Sequence, residues 1–436
     1  MNELQSNNDL QHDNELQRDI AVVKFGGTSV KTIARIQHVA DIIKGISRER
    51  KCIAVVSAMG DTTDYLLKLA KQASSVPDKR ELDMLLSTGE QISIALLCMV
   101  LKDLGVKARS LTANQVGIFT EHVHTRARIV QINNKKLLAD FEEEDVLVVA
   151  GFQGVTTAGD ITTLGRGGSD TTAVALAAAV KAPECDIYTD VDGIYTSDPN
   201  KIPGARLLDR VSSGEVLEMA RLGAQVLHPR AVELARQYKV RLRVRNTFKP
   251  EHKGTLIDSG ENMELFRAIS GVAVDEDQCS VAIMDVPDTP GIAGKITQAL
   301  ADENISMDMI MQSVHPTAGV NSMIFTVSDS DIDQTIKTLD AIRSQINAKE
   351  VLSDPDCAKV SLVGQGLCGQ PWIPALLFNT LGKNGINIKM ISSSEMKITC
   401  VVSRLKAQQA AKLLHDAFEL GEEKSGDQNP HAAKSV

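Results

Sequence analysis

Three short apolar runs, each closing on a cluster of glycines and small polar residues, set the pattern of the first half of the chain. Ile20-Ala21-Val22-Val23 runs into Lys24-Phe25-Gly26-Gly27-Thr28-Ser29. Cys52-Ile53-Ala54-Val55-Val56 runs into Ser57-Ala58-Met59-Gly60-Asp61-Thr62-Thr63. Val146 to Phe152 leads towards Thr163-Leu164-Gly165-Arg166-Gly167-Gly168-Ser169-Asp170-Thr171-Thr172. Apolar runs of this length between turn residues predict strands buried on both faces. Between them the spacing turns helical, with Ile33, Ile36, Val39, Ile42 and Ile43 on one face, then Leu66, Leu67 and Leu69, then Ile92 to Leu101, and later Glu215 to Ala220. Ile187 to Asp190 and Leu242 to Arg245 add two more strands. Such alternation predicts an α/β fold, a mostly parallel sheet with helices on both faces, whose ligands bind at the carboxyl ends of the strands.

The C-terminal part follows another rhythm. Ser280 to Met284, Ile305 to Ile310 and Met323 to Val327 read as strands, with helices through Leu300 and over Ile332 to Ile346. The order β-α-β-β-α then recurs in Val360 to Val363, Ile373 to Leu381, Ile386 to Ile391, Met396 to Val402 and Ala407 to Phe418. Pro290 falls on Pro371 and Ile305 on Ile386, both at an offset of 81 (371−290, 386−305). An ungapped offset marks an internal repeat. The expected division is a polar tail over 1–18, a catalytic domain over 19–265, tandem repeats over 266–350 and 351–420, and a frayed tail over 421–436.

Composition narrows the picture. With 43% hydrophobic and 24% charged residues among 436, the chain is globular. A net charge of −9 argues against nucleic acid as a partner, and no continuous apolar run matches a membrane span of about 18 residues. The seven cysteines, Cys52, Cys98, Cys185, Cys279, Cys357, Cys368 and Cys400, never form a C-x-x-C pair. They read as reduced thiols, and Met1 to Asp19 lacks a signal core, so a cytoplasmic location is expected.

The chemistry gathers at the predicted strand ends. The Gly165–Gly168 loop opens a helix that Ser169 or Asp170 can cap, where free N–H groups favour an anion, and Arg166 offers a fork for a carboxylate. Lys24 with the amides of Gly26 and Gly27 suits polyphosphate, without Walker A spacing. Glu90 is either a solvated helix-start carboxylate or a counter-ion for an ammonium. Asp190, Asp192 and Asp198 suit turns, a ribose or water-bound magnesium. An acid for an ammonium and an Arg for a carboxylate describe an amino-acid site; adding a phosphate cradle gives phosphoryl transfer from ATP to an amino acid.

Four motifs carry a family resemblance: Lys24 to Val30, Ser57 to Thr63, Gly165 to Thr172 and Thr189 to Pro199 resemble the aspartokinase signatures, in that family's order. The paired repeats resemble its two ferredoxin-like ACT domains. The resemblance implies an amino-acid-kinase fold and transfer of the ATP γ-phosphoryl group, with Mg2+ bridging the phosphates, to the β-carboxylate of L-aspartate. That is the first step towards lysine, threonine, methionine and diaminopimelate. It implies that Arg166 binds the substrate α-carboxylate and Glu90 its ammonium, with Ser57, Thr63, Gly167, Gly168 and Ser169 lining the pocket. Lys24 would stabilise the transferred phosphoryl group and Asp170 would orient Lys24. Phe25, Gly26, Gly27, Thr189, Asp190, Tyr195, Asp198, Asn200, Gln225 and Val226 would contact ATP; no protein ligand to a metal is assigned. Lysine and/or threonine would bind at Asp288, Gly291 and Ala293, with Asn387 and Ile388 from the partner repeat, in a homo-oligomer, dimer or tetramer, built through the ACT domains.

Two positions depart from the family. Gln225 stands where many members carry a second phosphate cation, which leaves Lys201 or Arg230 to supply that charge, or the role weaker. Pro371-Trp372 replaces the Pro-Gly that the first repeat keeps as Pro290-Gly291.

Overall fold

The computed structural model describes residues 20–222, 227–260, 268–314, 319–367 and 369–421. They form two compact units, one holding the residues up to Ile194, Leu207–Arg221 and 227–260, the other holding Tyr195–Arg206, Leu222 and the residues from 268 onward. Gln225, Val226, Cys368 and the two tails lie outside the described residues.

The first unit opens with β1 (Ala21–Phe25), α1 (Ile33–Ser47), β2 (Cys52–Val56), α2 (Thr62–Ala73), α3 (Lys79–Leu86) and α4 (Thr88–Asp103). It continues with β3 (Ala108–Leu111), α5 (Ala113–Val116), β4 (Ile118–Thr120), β5 (Ile129–Ile132), α6 (Asn134–Asp140), β6 (Val146–Ala150), β7 (Gln153–Val155) and β8 (Ile161–Thr163). After α7 (Gly168–Ala179) and β9 (Glu184–Thr189) come β10 (Arg210–Ser212), α8 (Ser213–Arg221), α9 (Pro229–Tyr238), β11 (Arg241–Asn246) and β12 (Thr255–Asp258). Eight strands form one sheet in the order β10-β12-β11-β9-β1-β2-β6-β3, parallel at every step but β11–β12. The continuous apolar runs of β2 and β6 are buried at every residue, as strands covered on both faces must be. Ile36, Val39 and Ile43 of α1 and Leu97 and Leu101 of α4 pack one face.

Register fixes the site. Phe25 pairs with Val56 and with Tyr188, and Val56 pairs with Ala150. The carboxyl ends of β1, β2, β6 and β9 therefore finish level, and the polar loops that follow start from one line.

Lys79–Asp103 is long and apolar enough to cross a membrane by composition, yet half of its most apolar window is buried in the protein. Ile94, Leu97 and Leu101 fill the sheet core, so its hydrophobicity is spent on packing. A second sheet, β5-β4-β7-β8, was not predicted, because its strands have three or four residues and half-polar patterns.

The second unit comprises β13 (Gly271–Pro287), α10 (Ile292–Asp302), β14 (Asp308–Val314), β15 (Val320–Val327), α11 (Ile332–Ile342), β16 (Glu350–Val363), α12 (Trp372–Lys383), β17 (Met390–Ser393), β18 (Lys397–Val402) and α13 (Ala407–Ala417). They build one antiparallel sheet, β14-β15-β13-β16-β18-β17. The two repeats exchange strands. Gly271–Asp275, at the start of the expected first repeat, pairs with Lys359–Val363 of the second, and Glu350–Ser353 pairs back onto Val281–Met284 of the first. Each repeat thus borrows its edge strand from one long strand shared with the other.

Ile305 and Ile386 were expected to begin strands, but the strands start at Asp308 and Met390. Both isoleucines instead close a helix. Ile305 N–H donates to Leu300 O and Ile386 N–H to Leu381 O, after Asn304 and Gly385 at φ 57° and 65°. A left-handed residue followed by an apolar plug is a helix C-terminal cap, and both side chains are buried.

Candidate active site

The loops at the level strand ends interlock. Ser57 N–H donates to Phe25 O, and Gly60 N–H to Gly27 O at 3.0 Å, so the turn after β2 lies against the glycine turn after β1. Ala58 N–H donates to Glu90 Oε1 at 3.2 Å, bringing the first turn of α4 to the same turn. Phe152 N–H donates to Thr172 Oγ1, fastening α7 to the end of β6. Lys24, the fourth residue of β1, meets Asp170 Oδ1 at 2.6 Å without hydrogen-bond alignment. Lys24, Glu90 and Asp170 are thereby held at one end of the sheet.

Asp170 does not cap its helix. The N-cap is Gly167 at φ 67°, and Ser169 and Asp170 sit buried inside the first turn. Gly167 cannot carry a side chain, since a Cβ would collide with the His228 ring. His228 caps α9 by accepting from Arg230 N–H, and burial pushes its pKa down. The sequence signal for His228 was a His-Pro pair at a helix start; only the fold shows what it packs against. Arg166 stands exposed at the loop tip. Ser57 follows β2 directly and Thr63 lies in the first turn of α2, both half-buried.

Glu90 is the unusual group. It is 3% exposed, Oε2 has no hydrogen-bond partner, and desolvation pushes its pKa up to about 8. A buried carboxylate oxygen without a donor costs stability unless a ligand supplies one. That favours the counter-ion reading over a solvated helix-start acid.

Arg230 is not a spare phosphate cation. Its Nη1 donates to Leu164 O at 2.7 Å and its Nη2 to Ala127 O at 2.8 Å, so it clamps the glycine-rich loop from outside. Lys201 faces Glu276 at 3.6 Å within the second unit.

Thr189 closes β9 and Asp190 follows it, with Thr189 Oγ1 donating to Asp190 Oδ1. Tyr195, Asp198 and Asn200 fall in the second compact unit. Ile202 is buried in the second-repeat core, and Thr196 meets His415 Nε2 at 3.0 Å, which draws this turn there. Asp198 Oδ1 accepts from Asn200 N–H as a turn residue does. Among the described residues no cluster of three His, Cys, Asp or Glu forms a metal cage.

In the second unit a cavity of about 320 Å3 opens beside α10, lined by Asp288, Gly291 and Ala293 and also by Gln312 and Asn321. Gln312 and Asn321 lie on strands whose alternation gave no sign of a pocket. Gly291 caps α10 at φ 96° with open space where a side chain would project. Asn387 and Ile388 do not line this cavity, and Ile388 packs on the second-repeat core. Trp372 rests on Phe418, ring centroids 6.1 Å apart, with its Nε1 donating to Gln370.

Residues 19–246 match the model of the amino acid kinase family, and residues 280–344 and 360–418 each match an ACT domain. An aspartate kinase from Stutzerimonas stutzeri is 48% identical over 404 residues, covering 92% of this chain and 97% of that protein. The crystal structure of E. coli aspartokinase III with aspartate and ADP in the R-state superposes with a TM-score of 0.76 at 26% identity, covering 91% of this chain and 99% of that one. Its T-state complex with lysine and aspartate gives 0.73 at 26%, covering 92% and 99%.

Proposed function

The chain belongs to the amino acid kinase family and is an aspartate kinase, and from that premise we propose how its residues do the work. L-Aspartate is held at both ends, its ammonium on Glu90 and its α-carboxylate on Arg166, with Ser57, Thr63, Gly167, Gly168 and Ser169 around it. The observation that carries this reading is the buried, unpartnered Oε2 of Glu90, an open acceptor that an ammonium donor would satisfy. The β-carboxylate is ionised at neutral pH and is itself the nucleophile, so no general base is needed. Lys24, beside the Gly26 and Gly27 amides, offsets charge on the γ-phosphoryl group as it passes to that carboxylate. Asp170 holds the Lys24 ammonium in place. Bound Mg2+ would neutralise phosphate charge. Phe25, Thr189, Asp190, Tyr195, Asp198, Asn200, Gln225 and Val226 are assigned to the nucleotide by family motif.

The product, 4-phospho-L-aspartate, opens the route to lysine, threonine, methionine and diaminopimelate. Lysine and/or threonine would regulate the enzyme from the Asp288–Ala293 cavity, and the chains would pair through their ACT domains as a dimer or tetramer. Regulation requires the effector to bind active and inactive states unequally. The six described cysteines are free and buried, which suits the cytoplasm.

The test is ADP formation with L-aspartate, L-glutamate and N-acetylglutamate as acceptors. Preference for L-aspartate is expected; preference for either other acceptor overturns the substrate assignment.

A further inference from the structure

Asp83 has a role that neither the motifs nor the pocket residues explain. It lies in α3 and is fully buried, seven positions before Glu90 (90−83). Its oxygens are saturated. Thr163 Oγ1 donates to Oδ1 at 2.6 Å, Thr125 N–H donates to Oδ1 and Oδ2 at 3.1 and 2.9 Å, and His124 Nδ1 lies 2.8 Å from Oδ2. No lone pair is left aimed at a ligand, so Asp83 is not a pocket residue.

What these partners share is the stem of the glycine-rich loop. Thr163 ends β8 and stands three residues before Arg166. Ala127 N–H donates to Thr163 O at 2.9 Å, joining the turn after β4 to the same stem. Thr125 sits at φ 70°. A β-branched residue in the left-handed region is strained and persists only where its surroundings hold it. The two-oxygen grip of Asp83 on the Thr125 amide is such a hold. From the other side Arg230 grips the carbonyls of Leu164 and Ala127.

We propose that Asp83 is a positioning residue for the substrate site, fixing through the Thr163 hydroxyl and the Thr125 amide the loop that presents Arg166. The inference rests on Arg166 being the anchor of the substrate α-carboxylate. A loop held from both sides keeps Arg166 pre-organised, and pre-organisation is felt in substrate binding before it is felt in turnover.

The experiment uses the full chain with four variants: Thr163→Val, Thr163→Ser, the double variant Asp83→Asn with Thr163→Val, and Arg166→Ala. Thr163→Val keeps the buried shape and removes the hydroxyl. It is expected to raise KM for L-aspartate about tenfold, the size of losing a buried hydrogen bond to a charged group, with kcat and KM for ATP within about twofold. Thr163→Ser should restore the aspartate KM, and the double variant should raise it at least as far as Thr163→Val does, since Asp83→Asn also weakens the hold on the Thr125 amide. A Thr163→Val enzyme that melts earlier with an unchanged aspartate KM, or whose KM for ATP rises in step, overturns the proposal. If Arg166→Ala raises the aspartate KM while Thr163→Val does not, the positioning role alone fails. If Arg166→Ala leaves it unchanged, the substrate reading fails and the positioning role with it.

Discussion

Asp83 and Glu90 are the same chemical group, buried in consecutive helices, and their surroundings give them opposite tasks. Asp83 receives a hydroxyl and an amide on both oxygens and has a histidine beside it. Glu90 receives one amide on one oxygen and nothing on the other. A saturated carboxylate stabilises the structure around it, whereas an unsaturated one destabilises the unliganded protein and waits for a donor. Burial alone therefore does not separate these two acids; the donors that reach them do.

The sharpest way to break this contrast is to neutralise the receptor. Glu90→Gln should raise KM for L-aspartate about 100-fold or more, because the ammonium loses a buried counter-charge. Steady-state rates against aspartate concentration measure it, and a change under fivefold would remove Glu90 from the site.

Proton linkage comes next in size. Glu90 holds its proton up to about pH 8 in the unliganded enzyme, and an ammonium needs the carboxylate. KM for L-aspartate should therefore fall roughly tenfold or more between pH 6.5 and 8.5, then level. The same profile in Glu90→Gln should be flat; an equally steep one would assign the proton to another group.

Stability should part the two acids in the opposite sense. Asp83→Asn removes an acceptor from a saturated cluster and should lower the melting temperature by roughly 5 °C. Glu90→Gln should not lower it. The folded pKa of Glu90 is raised above its unfolded value near 4.5, so the folded state binds the extra proton between about pH 4.5 and 8. Wild-type stability from this group is complete below that window and is lost as pH rises through it. Calorimetry at pH 5 and pH 8 should then show Glu90→Gln gaining on the wild type at the higher pH.

The smallest effect carries the contrast of open against filled to the two repeats. Gly291 borders an open cavity, while the equivalent Trp372 covers its position with a ring packed on Phe418. On the proposal that lysine or threonine binds in this cavity, Gly291→Ala should weaken their inhibition about threefold, the left-handed φ resisting a side chain. Trp372→Ala should change it by less than twofold.

How much of this was legible beforehand follows the same physics. Strands β2 and β6 announced themselves as unbroken apolar runs and β1 as one interrupted only by Lys24, and the glycine clusters that follow marked the end of the sheet where the site lies. Lys24, Glu90, Arg166 and Asp170 stood out because charges at strand and helix ends are chemically conspicuous. Asp83 did not, since one acid in Leu82-Asp83-Met84 looks like any helix polar residue until Thr163 and Thr125 arrive from eighty and forty-two positions away. His228 was hidden likewise, because its neighbour Gly167 is distant in sequence. The interleaved repeats escaped notice because edge-strand exchange leaves the order β-α-β-β-α unchanged. Lys201 and Arg230 offered positive charge on paper, but each had a partner in the fold.

The most direct measurement is the preference for L-aspartate over succinate, which lacks the ammonium, in the wild type and in Glu90→Gln, read as ADP formation. The wild type should favour L-aspartate at least about 100-fold in kcat/KM, and the variant should lose most of that preference. An undiminished preference in Glu90→Gln would contradict the assignment of the unpaired oxygen to the substrate ammonium.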